Sequence, residues 1–210
     1  MSGDWQLDID LLARWRAGDQ LAGEQLYLRH VDAVIRFFRN KLSDPQDLVQ
    51  ETFLRLAAGR ERIADGQALR AYVLGIARHL WYEYARQLAR PRPLDVDVDT
   101  IENLLPGLST MAARQHEHRL LLECLRRIPI EHQVILELHY WERLKTDELA
   151  LLLEVSPSTM RSRLARARTL LARALLAGAD SPQRLASTQT NLDEWAEQIR
   201  REYLPDADDE

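Results

Sequence analysis

At 210 residues the chain is long enough for one medium or two small domains, and 46% apolar residues suffice for a buried core. With 8 Gly and 8 Pro it is too poor in turn residues for an all-β fold. The formal net charge of −5 is unevenly spread: nine acids against three arginines fall between Gly178 and Glu210, so the acidity is largely a property of the tail.

A single cysteine, Cys124, excludes an internal disulfide and fits a reducing cytoplasm, the expected location. No apolar run approaches about 20 residues, so no membrane insertion is expected. The acidic start M-S-G-D-W-Q-L-D-I-D lacks a signal-peptide pattern.

From Asp8 to Arg90 the chain reads as mostly helix. Ile9, Leu11, Leu12 and Trp15 give a first amphipathic helix ending near Gly18, and Asp19 is placed to cap the next. Its inward set is read as Leu21, Ala22, Leu26, Tyr27 and Val31, continued by Val34, Ile35, Phe37, Phe38 and Leu42. Ser43-Asp44-Pro45 breaks the pattern. The helix from Pro45 to Ala58 carries Leu48, Val49, Thr52, Phe53 and Leu56 on one side, with Asp47, Gln50, Glu51, Leu54 and Arg55 elsewhere. A polar loop, Gly59 to Gly66, precedes a long helix from Gln67 to Leu88. Its apolar set is Leu69, Val73, Ile76, Ala77, Leu80 and Tyr84, and its other faces carry Arg70, Arg78, His79, Trp81, Tyr82 and Arg86. Aromatic rings beside arginines suit stacking on unpaired bases with neutralised phosphates. They equally suit the edge of a core, and the local pattern leaves both open.

Pro91-Arg92-Pro93 ends that helix. Asp95, Asp97, Asp99 and Glu102 follow, a composition that predicts an extended, flexible, solvated linker. A second helical set begins around Thr110, with Leu120, Leu121, Cys124, Leu125 and Ile128 on one stripe. Beyond Pro129, Val134, Ile135, Leu138 and Tyr140 form another. Thr146 is read as the cap of a helix with Asp147 and Glu148 in its first turn, where acids suit the helix dipole. Glu154-Val155 makes a turn. Ser156 caps a further helix with Pro157 at its first position. Met160, Leu164, Ala167 and Leu171 recur on its buried side. Ser158, Thr159, Arg161, Ser162, Ala165 and Arg168 are read on or near its outer face with Arg163, Arg166 and Arg173 along the flanks, and no acid occurs from Val155 to Leu176. Such a helix suits insertion into a DNA major groove; the plainer alternative is a solvated basic helix. After a second break at Gly178 to Pro182, Asn191 is placed to cap a last helix with Leu192, Trp195, Ala196, Ile199 and Tyr203 on one face.

Two separated stretches resemble the conserved regions two and four of bacterial RNA polymerase sigma factors of the extracytoplasmic-function (ECF) type. D-P-Q-D-L-V-Q-E-T-F-L-R-L, Asp44 to Leu56, is similar to the family's region-two helix, and R-A-Y-V-L-G-I-A-R-H-L-W-Y-E-Y-A-R, Arg70 to Arg86, to its promoter-melting helix. L-R-R-I-P and E-L-A-x-x-L-x-V-S-x-S-T-M-R-S-R-L-A-R-A-R resemble region four. Departures are Tyr72 for the usual Trp, His79 for Asn, Glu83 for Asp and Glu154 for Gly. They leave the fold intact and bear on promoter preference.

The resemblance implies an all-α fold of two small helical domains joined by a flexible linker, plus a C-terminal helical extension. Residues 1–90 would be region two, 91–111 the acidic linker, 112–176 region four and 177–210 the extension. It implies core RNA polymerase and promoter DNA as partners. Asp47, Gln50 and Glu51 would make polar contacts with core and Leu48 and Phe53 would pack against it, although Phe53 also reads as plain core. Arg70, Arg78, His79, Tyr82 and Arg86 would lie on the minus-ten path. Ser158, Thr159, Arg161 and Ser162 would meet base edges of the minus-thirty-five element, and Arg163, Arg166 and Arg168 its phosphates. An anti-sigma protein is the family's usual regulator, though nothing in this chain identifies one. The tail has two readings: an intramolecular contact that restrains promoter binding, or a solubilising appendage.

His116, His118 and Cys124 are too weak a cluster for a metal site. No phosphate-binding loop, dinucleotide fingerprint or nucleophile–base pair occurs, so no enzymatic activity and no cofactor are expected. The competing binding-protein reading is a helix-turn-helix regulator with a helical sensing or dimerisation domain. The D-L-V-Q-E-T-F helix and the aromatic-basic helix favour a sigma factor, since a plain regulator needs neither.

Overall fold

In the computed structural model, residues 4–63, 69–106 and 116–178 are described. They form nine α-helices and no strand: α1 (Asp4–Arg16), α2 (Gln20–Arg39), α3 (Gln46–Gly59), α4 (Leu69–Ala89), α5 (Ile101–Leu104), α6 (His116–Arg127), α7 (Ile130–Tyr140), α8 (Thr146–Leu152) and α9 (Pro157–Gly178). A 3-10 turn, Arg60–Arg62, follows α3. The fold is all-α, as the sequence predicts. The expected helix from Asn191, the end of the loop from Gly59 to Gly66 and the linker from Gly107 onward lie outside the described residues. The chain divides into two compact units, residues 1–39 with 44–83 and residues 40–43 with 84–210.

In the first unit, Leu11 and Leu12 of α1 and Ala22, Leu26, Val34, Phe37 and Phe38 of α2 are buried, together with Val49, Thr52 and Leu56 of α3 and Leu69, Val73, Leu74, Ala77, Leu80 and Trp81 of α4. Gly18 turns the chain with φ +100°, a conformation that favours glycine. Asp19 then caps α2, its Oδ1 accepting from the N–H groups of Leu21 and Ala22 at 3.1 and 3.3 Å. Gly23 lies directly under the indole of Trp15, where a Cβ would collide with the ring.

Two residues expected to face inward do not. Leu21 is 67% exposed and Tyr27 42%. The buried stripe of α2 runs through Ala22, Leu26, His30, Ala33, Val34 and Phe37, and Leu21 and Leu28 fall on the opposite side of the cylinder. Asp8 ties α1 to α2. Burial pushes its carboxyl up, but His30 and Arg29, at 3.1 and 2.8 Å, hold it below the ordinary range.

The second unit is built on α6, α7, α8 and α9. Leu121, Cys124, Leu125, Ile130, Val134, Ile135, Leu138, Leu149, Met160, Leu164, Ala167, Leu171 and Leu175 are buried. Burial pushes the Cys124 thiol up to about 11, so it behaves as a small apolar residue. Glu137, buried on α7, accepts from Gln133 Nε2 at 2.7 Å and pairs with the buried Lys41 from the connection that groups with this unit.

The first part of the acidic segment is held rather than extended. α7 begins after Pro129, which offers no side-chain cap, so its first N–H groups need other acceptors. The chain before it supplies them: Asp99 O accepts from Ile130 at 2.9 Å and Val96 O from Glu131 at 3.0 Å. Asp99 fixes this segment, its carboxylate taking both arms of Arg92 at 2.9 and 2.6 Å and the Asp95 N–H at 2.8 Å. The Arg92 contact holds the Asp99 carboxyl below the ordinary carboxylate range. A depressed pKa contributes stability that is complete above the unfolded value of about 3.9 and is lost as pH falls through the lower folded one. Asp99→Asn is therefore expected to lower the melting temperature at pH 6. It should also remove the part of the wild-type acid sensitivity that appears below about pH 4, read from melts between pH 6 and 3.

Candidate nucleic-acid interface

The second unit presents a helix-turn-helix. Lys145, not Thr146, precedes the first turn of α8, and the cap is supplied by Glu148, which accepts the Lys145 N–H at 2.6 Å. The turn places Glu154 at φ +54°, the left-handed region that glycine occupies without a steric penalty. Ser156 starts α9, its Oγ accepting the Thr159 N–H at 3.1 Å and lying 2.8 Å from the hydroxyls of Ser158 and Thr159.

With Met160, Leu164, Ala167, Leu171 and Leu175 buried, the outer side of α9 displays Ser158, Thr159, Arg161, Ser162, Ala165 and Arg166, all exposed. The Ser162 hydroxyl is turned back onto the Ser158 carbonyl at 3.2 Å. The cations of this helix are not equivalent. Arg163 reaches Glu131 of α7 at 3.0 Å. Arg168 lies over the Tyr140 ring and donates to its hydroxyl at 2.7 Å. These two sit beside the buried stripe, so their guanidinium groups fold onto α7, whereas Arg161 and Arg166 project outward. Burial first, and then the charge of Arg166, lower the pKa of His132 on α7.

On α3 of the first unit, Asp47 and Gln50 are exposed and Leu48, Glu51 and Phe53 are intermediate. Phe53 packs edge-on against Tyr27 with ring centroids 4.6 Å apart. Leu54, which the family motif does not single out, is 57% exposed although apolar. Its signal is positional: it lies one turn beyond Gln50 and two beyond Asp47, on the same helical side. Leu21, Tyr27 and Leu28 of α2 are further apolar side chains exposed in this unit.

On α4, Trp81 is fully buried and belongs to the core, which resolves the two readings left open for it. Tyr82 is also buried, at 8% exposure, and the Arg78 guanidinium lies 5.3 Å from its ring centroid. Its ring is therefore not displayed as a stacking platform. His79 and Arg86 are exposed and Arg70 and Arg78 intermediate. His79 lies 3.2 Å from Glu83, the sole acid of this helix.

Among the described residues no group of three or more His, Cys, Asp and Glu side chains is placed to hold a metal, and no helix is long and apolar enough to cross a membrane.

Comparison with known proteins bears on these surfaces. Residues 25–91 match the family model for sigma-70 region 2, and residues 118–171 that for sigma-70 region 4. The RNA polymerase sigma-E factor of Streptomyces coelicolor is 30% identical over 164 residues, 76% of this chain and 89% of that protein. The ECF RNA polymerase sigma-E factor of Escherichia coli is 27% identical over 172 residues, 77% of this chain and 90% of that one. A chain of the solved RsbN-BldN complex is 22% identical over 77% of this chain and 97% of its own, with a TM-score of 0.33.

Proposed function

This chain belongs to the sigma-70 family of RNA polymerase sigma factors, as a member of the ECF type, and we propose from that membership how its surfaces divide the work. It is a transcription initiation factor: it binds core RNA polymerase and directs it to promoter DNA. Residues 1–90 take the core-docking and minus-ten roles, 112–176 the minus-thirty-five role, and 91–111 connect them.

Core polymerase docks on α3 through Asp47, Gln50 and Leu54, with Leu48, Glu51 and Phe53 at the margin. The apolar side chain at the end of that stripe supplies the area and the polar ones fix the register. Arg70, Arg78, His79 and Arg86 carry the minus-ten strand along α4, with Tyr82 acting as the support on which Arg78 lies. Ser158, Thr159, Arg161 and Ser162 meet base edges, and Arg166 meets phosphate. Arg163 and Arg168 brace the recognition helix. The protein works in the cytoplasm, where polymerase and promoter are.

The observation that carries this reading is the pairing of a half-apolar α3 beside an aromatic-basic α4 with a separate, purely cationic α9. A simple repressor or activator requires only the last of these. Reconstitution provides the test. Purified protein added to core enzyme is expected to produce transcripts from defined start sites on fragmented DNA of the source genome, and none without core. A protein that binds DNA tightly by itself while leaving core enzyme unprogrammed would support the regulator reading instead.

A further inference from the structure

α4 is a cationic helix with one acid, and that acid falls beside the residues assigned to DNA. Glu83 is four residues from His79 and its Oε1 lies 3.2 Å from His79 Nε2. A carboxylate there meets promoter phosphates with the wrong sign. The counter-charge comes from a different helix. Arg55, on α3, forks onto Glu83 with NH1 to Oε1 at 3.2 Å and NH2 to Oε2 at 2.9 Å, while its Nε donates to Glu51 at 2.9 Å. Two carboxylates flank this one guanidinium and raise its pKa further above an already high ordinary value. It remains fully charged. All four side chains are at least one-third exposed, so the chain of ion pairs adds little to folding and lies where solvent, DNA and polymerase reach it.

We propose that Arg55 is a positioning residue for promoter opening: by cancelling Glu83 it lets phosphates pass along α4, although it is itself on the core-docking helix. The inference rests on the assignment of α4 to the minus-ten strand. Planar bidentate pairing makes Arg the suitable residue, because it engages both carboxylate oxygens at once and in a fixed geometry. Glu51 takes part through its own claim on the guanidinium. A core contact that draws Glu51 away leaves Arg55 wholly to Glu83, so docking on α3 favours opening on α4.

The test uses holoenzyme and a start site mapped with the wild-type protein, with opening followed by permanganate reactivity of unpaired thymines. Arg55→Gln is expected to lower opening about tenfold while core affinity stays within about threefold. The deficit should shrink as salt rises, because the repulsion is screened. Adding Glu83→Gln to Arg55→Gln is expected to restore opening, since the charge that needed cancelling is then gone. A double variant as poor as Arg55→Gln alone, or a deficit indifferent to salt, would overturn the proposal. So would a parallel loss of core affinity, which would make Arg55 part of the docking surface. Holoenzyme that starts transcription normally when α4 carries Arg78→Ala and His79→Ala, with Arg55 and Glu83 intact, would instead strike the minus-ten assignment, and this inference with it.

Discussion

Reversing charge at both Arg161 and Arg166 is expected to lower affinity for the upstream promoter element by at least about 100-fold. Both side chains project from α9 with no acid of that helix beside them, so each loses an attraction and gains a repulsion. A base-edge contact is worth about 1–3 kcal/mol, and a phosphate contact adds its share through counter-ion release. Two such changes together exceed the roughly 2.7 kcal/mol that 100-fold represents. The salt dependence should flatten as well, by about 0.9 in log–log slope for each phosphate left without its cation. Arg163→Ala and Arg168→Ala make the contrast. Their guanidinium groups touch Glu131 and Tyr140, so their removal should lower the stability of the second unit more than it weakens DNA binding. Titration of a fluorescent promoter fragment with holoenzyme, at two or more salt concentrations, checks all four variants. Equal DNA effects for inward and outward arginines would remove the distinction between reading and bracing.

That distinction marks what the linear sequence can tell. The helix-turn-helix is legible because its signals are local: Ser156 before Pro157, then apolar residues at 160, 164, 167 and 171. The stripe does not settle which arginines flank it: the sequence sets Arg166 on a flank and Arg168 on the outer side, whereas the fold exposes Arg166 and turns Arg168 onto Tyr140. Nor does it say that Glu131 and Tyr140 stand ready on α7 to take two of the arginines, 32 and 28 residues away. The bridge from Arg55 to Glu83 spans 28 residues and is equally invisible. The acidic segment reads as free because its composition is that of a solvated linker. What holds it is the Asp99 carboxylate on Arg92 and the Asp95 N–H together with two carbonyls capping the start of α7, and backbone acceptors leave no trace in side-chain patterns. Periodicity misplaces Leu21 and Tyr27 for a further reason. Each adjoins a residue that truly is inward, Ala22 and Leu26, and two apolar neighbours on a helix differ by about 100° in direction. The pattern finds the stripe and leaves its edge open by one position.

Trp81 makes the same ambiguity experimentally decisive. Beside Arg78, His79 and Tyr82 an indole reads as readily as a stacking platform as it does as core. The fold places it fully buried among the helices of the first unit. Trp81→Ala is therefore expected to destabilise that unit by about 3–5 kcal/mol, through reduced apolar burial and the cavity left behind. Against a typical domain stability of about 5–15 kcal/mol this is enough to populate an unfolded first unit. Core docking and opening would then fail together, while the second unit keeps its structure. Trp81→Phe retains most of the ring and should cost about half as much or less. Because the two units need not unfold in one step, a single melting midpoint is the wrong measure. Amide hydrogen exchange resolved along the chain separates them: protection should fall in α2, α3 and α4 and persist in α7 and α9. A stacking residue behaves oppositely. Its removal leaves exchange protection unchanged and abolishes strand opening alone, and that result would return the indole to the DNA and take the centre out of this core.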